Sequence, residues 1–255
     1  MKTKLNSALF LYLSITIPLS ICALSCKGAD GPAGPSLSGD LVGYSYLYDL
    51  SGNRAADNSG ITVAVEGSST TATTTADGRW TLSGLKTGTY TIAWTKSGYG
   101  MRKSVGLQFV GGGQVYYGSI SLYLIATHTA TNLVATTSVV STLKYVNLSG
   151  NFSGTTMQYM MVRFFVGTSS AVSSTPANYL YTTSSSYSST PTTFSTSINT
   201  QSLNSAGIFS GSTIYVIAYG DSYFGSTSYI DIATGRFVYT CLNAVPSNVS
   251  TVVVP

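Results

Sequence analysis

Apolar and polar residues alternate with a period of two along segment after segment of this chain, and glycine-bearing turns cut those segments to strand length. Such alternation puts every second side chain on one face, the pattern of half-buried β-strands. Residues 41–48 alternate, and in residues 61–65 the side chains of Ile61, Val63 and Val65 share a face. Residues 70–75 are β-branched, and Asp77-Gly78 offers the positive φ of a tight hairpin turn before Arg79-Trp80-Thr81-Leu82 resumes the alternation. Tyr90, Ile92 and Trp94 recur with the same spacing, as do Val105, Leu107 and Phe109, then Ile120, Leu122 and Leu124. The first half therefore reads as about seven strands with no convincing helix, the number expected of a β-sandwich.

The second half repeats the pattern in a different composition. Residues 130–254 are rich in Ser and Thr and nearly devoid of charge. Val146, Leu148 and Phe152 fall on a strand interrupted by Gly150, and residues 157–166 form a long aromatic and aliphatic run. Phe194, Thr196 and Ile198 alternate, Ile214, Val216 and Ala218 alternate again, and residues 249–254 form a closing β-branched strand. Residues 223–239 read as a hairpin turning at Thr234-Gly235. The predicted fold class is all-β, with two tandem Ig-like β-sandwich domains at 37–126 and 131–255 and a linker at 127–130.

Charged residues make up only 8% of the chain. The formal charge of +4 falls to +2 once Lys2 and Lys4 are set aside with the leader, and no basic cluster exceeds the pair Arg102-Lys103. Nucleic acid is therefore excluded as a partner, because counterion release needs a basic patch.

The N-terminus reads as an address. Lys2 and Lys4 precede an apolar stretch from about Ala8 to Ala23, broken by Ser14, Thr16, Pro18 and Ser20 and so too short and interrupted for a spanning helix. Ala23-Leu24-Ser25-Cys26 resembles the lipobox of bacterial lipoproteins, although Ala23 stands where leucine is commonest. The resemblance implies that residues 1–25 are a signal peptide, that Cys26 carries lipid, and that Lys27 directs the protein to the outer membrane. Cys22 would leave with the signal, because Ile21 occupies a position where a small residue is wanted. Cys241 would then be the one remaining thiol and no internal disulfide could form. It follows the β-like run 237–240 and reads as a buried small hydrophobe. Residues 26–36 recur in glycine every third place over only three triplets, too few for a collagen helix, and read as a Gly/Pro tether. Such stretches resemble those on surface lipoproteins of Bacteroidota and related Gram-negative bacteria.

Within the first half, Asp49 with Gly52-Asn53, the strand 61–67, the segment 75–82, the segment 84–92 and Lys96-Ser97-Gly98-Tyr99 follow one another in an order that resembles carboxypeptidase regulatory-like domains. Arg54-Ala55-Ala56 and a longer insert around Asp57-Asn58 depart from that pattern. The resemblance implies a transthyretin-like sandwich without catalytic residues of its own, of the carbohydrate-binding-like group and used as an accessory, adhesive or spacer module. Residues 211–218 resemble the penultimate strand of fibronectin type III-like domains, which implies that Tyr215 turns its hydroxyl back onto the backbone.

Candidates for chemistry are few. The single histidine, His128, sits in the predicted linker and reads as a solvated imidazole with no triad around it. Asp49, Asp57 and Glu66 fall in turns or at strand ends, where paired-carboxylate glycosidase chemistry is not expected. Residues 49–53 alternate oxygen ligands as a calcium loop does, but Gly60 stands at the twelfth place, so an ordinary turn accounts for them and no metal or cofactor is expected. The candidate ligand platform is Tyr44, Tyr46 and Tyr48, which alternation puts on one outward face, where they could pack against neighbouring strands or stack on sugar rings or a protein partner. The expectation is a non-enzymatic, lipid-anchored binding, adhesion or spacer protein whose partners are the membrane and a polysaccharide or envelope protein. The competing expectations are a carbohydrate-active enzyme and an accessory subunit of an uptake or secretion complex.

Overall fold

The seven expected strands of the first half close into two facing sheets. The computed structural model describes residues 37–155, 157–225 and 227–255. It contains β1 (Ser38–Tyr48), β2 (Thr62–Val65), β3 (Thr71–Thr73), β4 (Arg79–Lys86), β5 (Gly88–Thr95), β6 (Arg102–Phe109) and β7 (Gly113–Tyr123). One sheet has the order β4-β1-β7 and the other β3-β2-β5-β6. β1 runs antiparallel to β4 and parallel to β7. The inward residues predicted by alternation fill the space between the sheets: Leu41, Leu47, Ile61, Val63, Leu82, Ile92 and Leu122 are all buried. Trp80 and Trp94 meet edge to face at 5.8 Å in the middle of this core, with Tyr117 against both.

The turn at Asp77-Gly78 is a correction to the expected hairpin. Gly78 does have φ +90°. However, β3 pairs with β2 and β4 pairs with β1, so the turn carries the chain from one sheet to the other. It lies flat on β1, where the Ser45 amide donates to the Gly78 carbonyl at 2.8 Å. A Cβ at Gly78 would come 2.4 Å from the Ser45 carbonyl oxygen. The long insert before β2 is pinned by Asn58, whose Oδ1 accepts from the Leu47 amide at 2.9 Å and whose carbonyl accepts from Thr74 Oγ1 at 2.6 Å.

The second sandwich contains β8 (His128–Val140), β9 (Leu143–Gly154), β10 (Met160–Gly167), β11 (Tyr181–Tyr187), β12 (Thr193–Asn199), β13 (Thr213–Asp221) and β16 (Ser250–Val253). Their sheets are β12-β9-β8 and β11-β10-β13-β16, and the core between them includes Val146, Leu148, Val162, Phe164, Phe194, Ile214 and Val216. Gly150 is bare because the Phe194 ring lies over it; a Cβ there would meet Cζ at 2.4 Å. A short helix, α1 (Thr200–Ser205), interrupts the otherwise all-β chain, with Asn199 capping it by accepting from the Gln201 amide at 2.8 Å.

β10 is buried on both faces, which explains why residues 160–166 are apolar almost without alternation. Val162, Phe164 and Val166 enter the main core, whereas Phe165 belongs to a second, smaller one with Val172, Tyr179, Ile217 and Tyr219. The hairpin of β14 (Ser228–Ile230) and β15 (Phe237–Tyr239) contributes Tyr239 to that outer layer, and its turn carries Gly235 at φ +67°. Tyr215 also packs there, and its hydroxyl makes no hydrogen bond with a described residue, so the expected return onto the backbone does not occur. The hydroxyl that does reach back is that of Tyr187, which donates to the Ser195 carbonyl at 2.6 Å and accepts from its amide at 2.9 Å.

The expectation of a solvated linker at 127–130 is also corrected. His128 and Ala130 are buried, and β8 begins at His128. Ala126 donates its amide to the Cys241 carbonyl at 3.0 Å, Asn243 Nδ2 donates to the Ala126 carbonyl at 2.9 Å, and Thr240 Oγ1 donates to the Met101 carbonyl at 2.8 Å. Cys241, fully buried, lies against bare Gly100 at this junction. Residues 37–255 accordingly form one compact unit. No helix among the described residues is long and apolar enough to cross a membrane. Cys26, the signal segment and the tether lie outside the described residues.

Candidate functional site

Tyr44, Tyr46 and Tyr48 project from the outer face of the β4-β1-β7 sheet, because Leu41, Ser45 and Leu47 take the inner positions of the same strand. All three rings are half-buried. Tyr44 and Tyr46 lie nearly parallel, with centroids 6.2 Å apart and planes 22° from one another, and Tyr116 meets Tyr44 edge-on at 6.5 Å. Tyr48 is stacked on Tyr123 at 5.1 Å. The Arg54 guanidinium sits 3.5 Å above the Tyr46 ring, a cation–π arrangement. The face is thus continuous, but its free aromatic surface is concentrated at Tyr44 and at Tyr116, which is 64% exposed.

Strand register extends this face sideways. The parallel pairing sets Tyr44 beside Ser119, Tyr46 beside Ser121 and Tyr48 beside Tyr123. Beyond β7 lies an open cleft of about 400 Å³ lined by Arg102, Ser119, Ser121, Tyr123, Phe224 and Thr227. Its size falls within the roughly 300–1,000 Å³ of small-ligand sites. Gly225 brings the wall in close: a Cβ there would overlap the Tyr123 ring at 1.9 Å. On the opposite flank, β4 pairs Arg79 with Tyr44, and a smaller recess of about 260 Å³ runs between Arg79, Tyr44, Gln114 and Tyr116. Three arginines therefore border one row of tyrosines.

The carboxylates near this face are already engaged. Burial, the largest single influence, raises the Asp49 pKa, but hydrogen bonds from Asn53, Ser51 and Gly52 together outweigh it and hold the group below its usual range. The loop read as calcium-like is thus a turn closed by its own amides, with Asp49 Oδ1 accepting from the Ser51 and Asn53 amides at 2.8 Å each. Asp77 accepts from Thr75 and from the Arg79 amide and is also held low. Asp57 is turned into its own loop by Ser59, and Glu66 pairs with Lys103 on the other sheet. Asp49, Asp57 and Glu66 form no common pocket, and among the described residues no three potential ligands converge to hold a metal ion.

Sequence reasoning missed a buried polar cluster in the second sandwich. Arg163 Nε donates to Asp221 Oδ2 at 2.7 Å, and the guanidinium lies 3.8 Å over the Tyr239 ring. Burial drives the Asp221 pKa up even though Arg163 opposes it. His128 Nε2 donates to the Met161 carbonyl at 2.8 Å, leaving Nδ1 buried without a partner. Burial pushes the His128 pKa down, with the Met161 carbonyl and Asp221 opposing, so the imidazole is neutral in the fold. Gly220 allows this packing, since a Cβ would lie 2.1 Å from the His128 carbonyl oxygen. The signal in the sequence was Arg163 itself, a charge inside an otherwise apolar strand.

A pH effect follows from that burial. The unfolded chain binds a proton at His128 as pH falls through about 6.5, while the folded chain resists until lower pH, so stability should drop between about pH 7 and 5. Asp221, raised in the fold, acts in the opposite sense: its contribution is full below its unfolded pKa and fades as pH rises through the folded one. Urea midpoints measured across this range in the parent and in His128→Gln check the assignment. An acid limb that persists undiminished in the variant would refute it, because the chain has no other histidine.

Fold and face together define an all-β protein of two stacked sandwiches carrying an aromatic, arginine-bordered surface on the first. No protein-family model and no curated protein matches the chain. Among solved structures, a candidate carbohydrate-binding protein from Bacteroides uniformis ATCC 8492 is 11% identical, with a TM-score of 0.32, over 86% of this chain and 100% of that one. A DUF3823 family protein from Parabacteroides merdae ATCC 43184 is 13% identical, with a TM-score of 0.25, over 84% of this chain and 100% of that one. A chain of a type II cohesin–X-dockerin complex from Acetivibrio cellulolyticus is 19% identical, with a TM-score of 0.29; the match spans 33% of this chain and 57% of that one. At these scores the likenesses carry no argument about function.

Proposed function

We propose that this chain is a non-catalytic saccharide-binding module, held by lipid on Cys26 at the outer membrane of a Gram-negative envelope. The observation that carries the reading is the outward tyrosine row of β1 running directly into the hydroxyl-lined cleft beyond β7. Exposed aromatic rings stack on the apolar faces of sugars, and Ser119, Ser121 and Thr227 offer hydroxyls for sugar oxygens. Among the described residues the cleft lining contains no carboxylate, whereas hydrolysis of a glycosidic bond ordinarily uses two. The resemblance of the first half to carboxypeptidase regulatory-like modules supports the same role, and the lipobox-like segment supports the anchor.

One experiment with two arms tests this. Replacing Tyr44 and Tyr116 with Ser is expected to weaken retention on polysaccharide by about tenfold, since each aromatic contact contributes about 0.5–1.5 kcal/mol, while the melting temperature stays near that of the parent. Retention equal to the parent on every polysaccharide that it binds would remove the platform. In parallel, Cys26→Ala should shift the protein out of the detergent phase; unchanged partition would show that the lipid is not the anchor.

A further inference from the structure

Among the described residues Arg102 is the one charged side chain lining the cleft beyond β7, and it is half-buried there. It makes no hydrogen bond or ion pair with any described residue. A cation partly withdrawn from water without a described partner is less well solvated than a free one, and hydrogen bonds to a charged group are the stronger kind once an anion arrives. No carboxylate is among the described residues of the cleft lining, and those elsewhere in the first sandwich are engaged: Glu66 by Lys103, Asp49 by the amides of its own turn, and Asp77 by Thr75 and the Arg79 amide. Arg54 and Arg79 stand along the same tyrosine row. The chain carries only 12 Lys and Arg in all, so three guanidinium groups on one face are a concentration rather than a sampling of the surface.

We infer that the Tyr44–Tyr123 face and the Arg102 cleft bind an acidic saccharide, with Arg102 receiving the anionic group. This rests on the saccharide-binding reading above and narrows its ligand class. A planar guanidinium fork suits both carboxylate and sulfate, so uronate and sulfated sugars share the chemistry. The aromatic row takes the ring faces, the β7 serines take the ring hydroxyls, and the arginine takes the charge. Repeating acidic units along a polymer could engage Arg102, then Arg54 and Arg79 in turn.

The test uses the purified full chain in detergent and measures binding by affinity electrophoresis on polygalacturonate, a sulfated galactan, a neutral galactan and polyglutamate. Acidic glycans are expected to bind roughly tenfold or more tightly than the neutral galactan, because a hydrogen bond to a charged group contributes about 1.5–3 kcal/mol. Binding should fade at ~1 M salt, where the screening length is ~3 Å. Arg102→Gln should abolish the preference for acidic glycans while leaving the melting temperature unchanged. Retention on polygalacturonate alone or on the sulfated galactan alone supports the inference and names the anion. Equal binding of neutral and acidic galactans, with Arg102→Gln indifferent, overturns the inference and leaves the saccharide reading standing. Equal binding of polyglutamate overturns it as a saccharide site, and failure to bind any glycan overturns both.

Discussion

Replacing Asp221 with Ala is expected to destabilise the protein by about 3–5 kcal/mol, among the largest effects of any single polar substitution in the chain. The substitution takes the carboxylate away from a guanidinium that is only 7% exposed and fixed between Asp221 and the Tyr239 ring. The cost arises from removing the counter-charge of a buried guanidinium, not from losing a strongly favourable pair, because desolvating both ions already consumes most of their attraction. Arg163→Met combined with Asp221→Leu should therefore recover most of the loss, since Met and Leu suit the apolar surroundings of β10 and β13. Chemical denaturation of the three proteins checks this. A single Asp221→Ala cost below about 1 kcal/mol would mean that water or the remaining contacts of Arg163 compensate its charge, and a double variant no better than the single would assign the loss to packing.

Trp80→Ala should be comparably severe, at about 3–5 kcal/mol. The indole is 1% exposed, meets Trp94 edge to face and belongs to the core of the first sandwich. For a unit of this size such a loss lowers the melting temperature by roughly 6–20 °C. Neither Trp80 nor Trp94 has a hydrogen-bond acceptor for its indole N–H, so Trp80→Phe should cost much less than the lost volume suggests, because it removes an unpaired donor along with the atoms. Calorimetry supplies a second readout. The sandwiches share the junction built on Gly100, Ala126 and Cys241, so a single transition should move as a whole. Two separated transitions, with only the lower one shifted by Trp80→Ala, would show that this junction is too weak to couple them.

The sequence revealed the face of each strand more readily than the company each face keeps. Tyr44, Tyr46 and Tyr48 are outward because Leu41, Ser45 and Leu47 alternate with them, and period-two patterning is local. Tyr116 and Arg102 were invisible as members of the same surface because their proximity depends on the parallel register of β1 with β7 and on a bulge between Val42 and Gly43. His128 misled for a related reason. Thr127-His128-Thr129 has no apolar pattern, and its burial is imposed by the bare backbone of Gly220 and the ring of Phe152, both distant in sequence. Residues 160–166 read correctly as core, but only the outer hairpin explains why Arg163 tolerates that position, and its partner Asp221 lies 58 residues away. The turn at Asp77-Gly78 was legible in its conformation and not in its destination, since a positive φ specifies a bend without choosing which sheet receives the next strand.

The parallel pairing of β1 with β7 also fixes how the first sandwich bears load. Tension applied at Leu37 and at Leu124 pulls on the start of one strand and the end of the other, along the strands and in opposite directions. Ten residue pairs from Gly39–Gly113 to Tyr48–Tyr123 then resist together, whereas an antiparallel hairpin pulled at its two free ends would open one pair at a time. This strand pair is thereby loaded in shear, so that a pull applied at its two ends is carried by its hydrogen bonds acting in concert and the tyrosine face keeps its register.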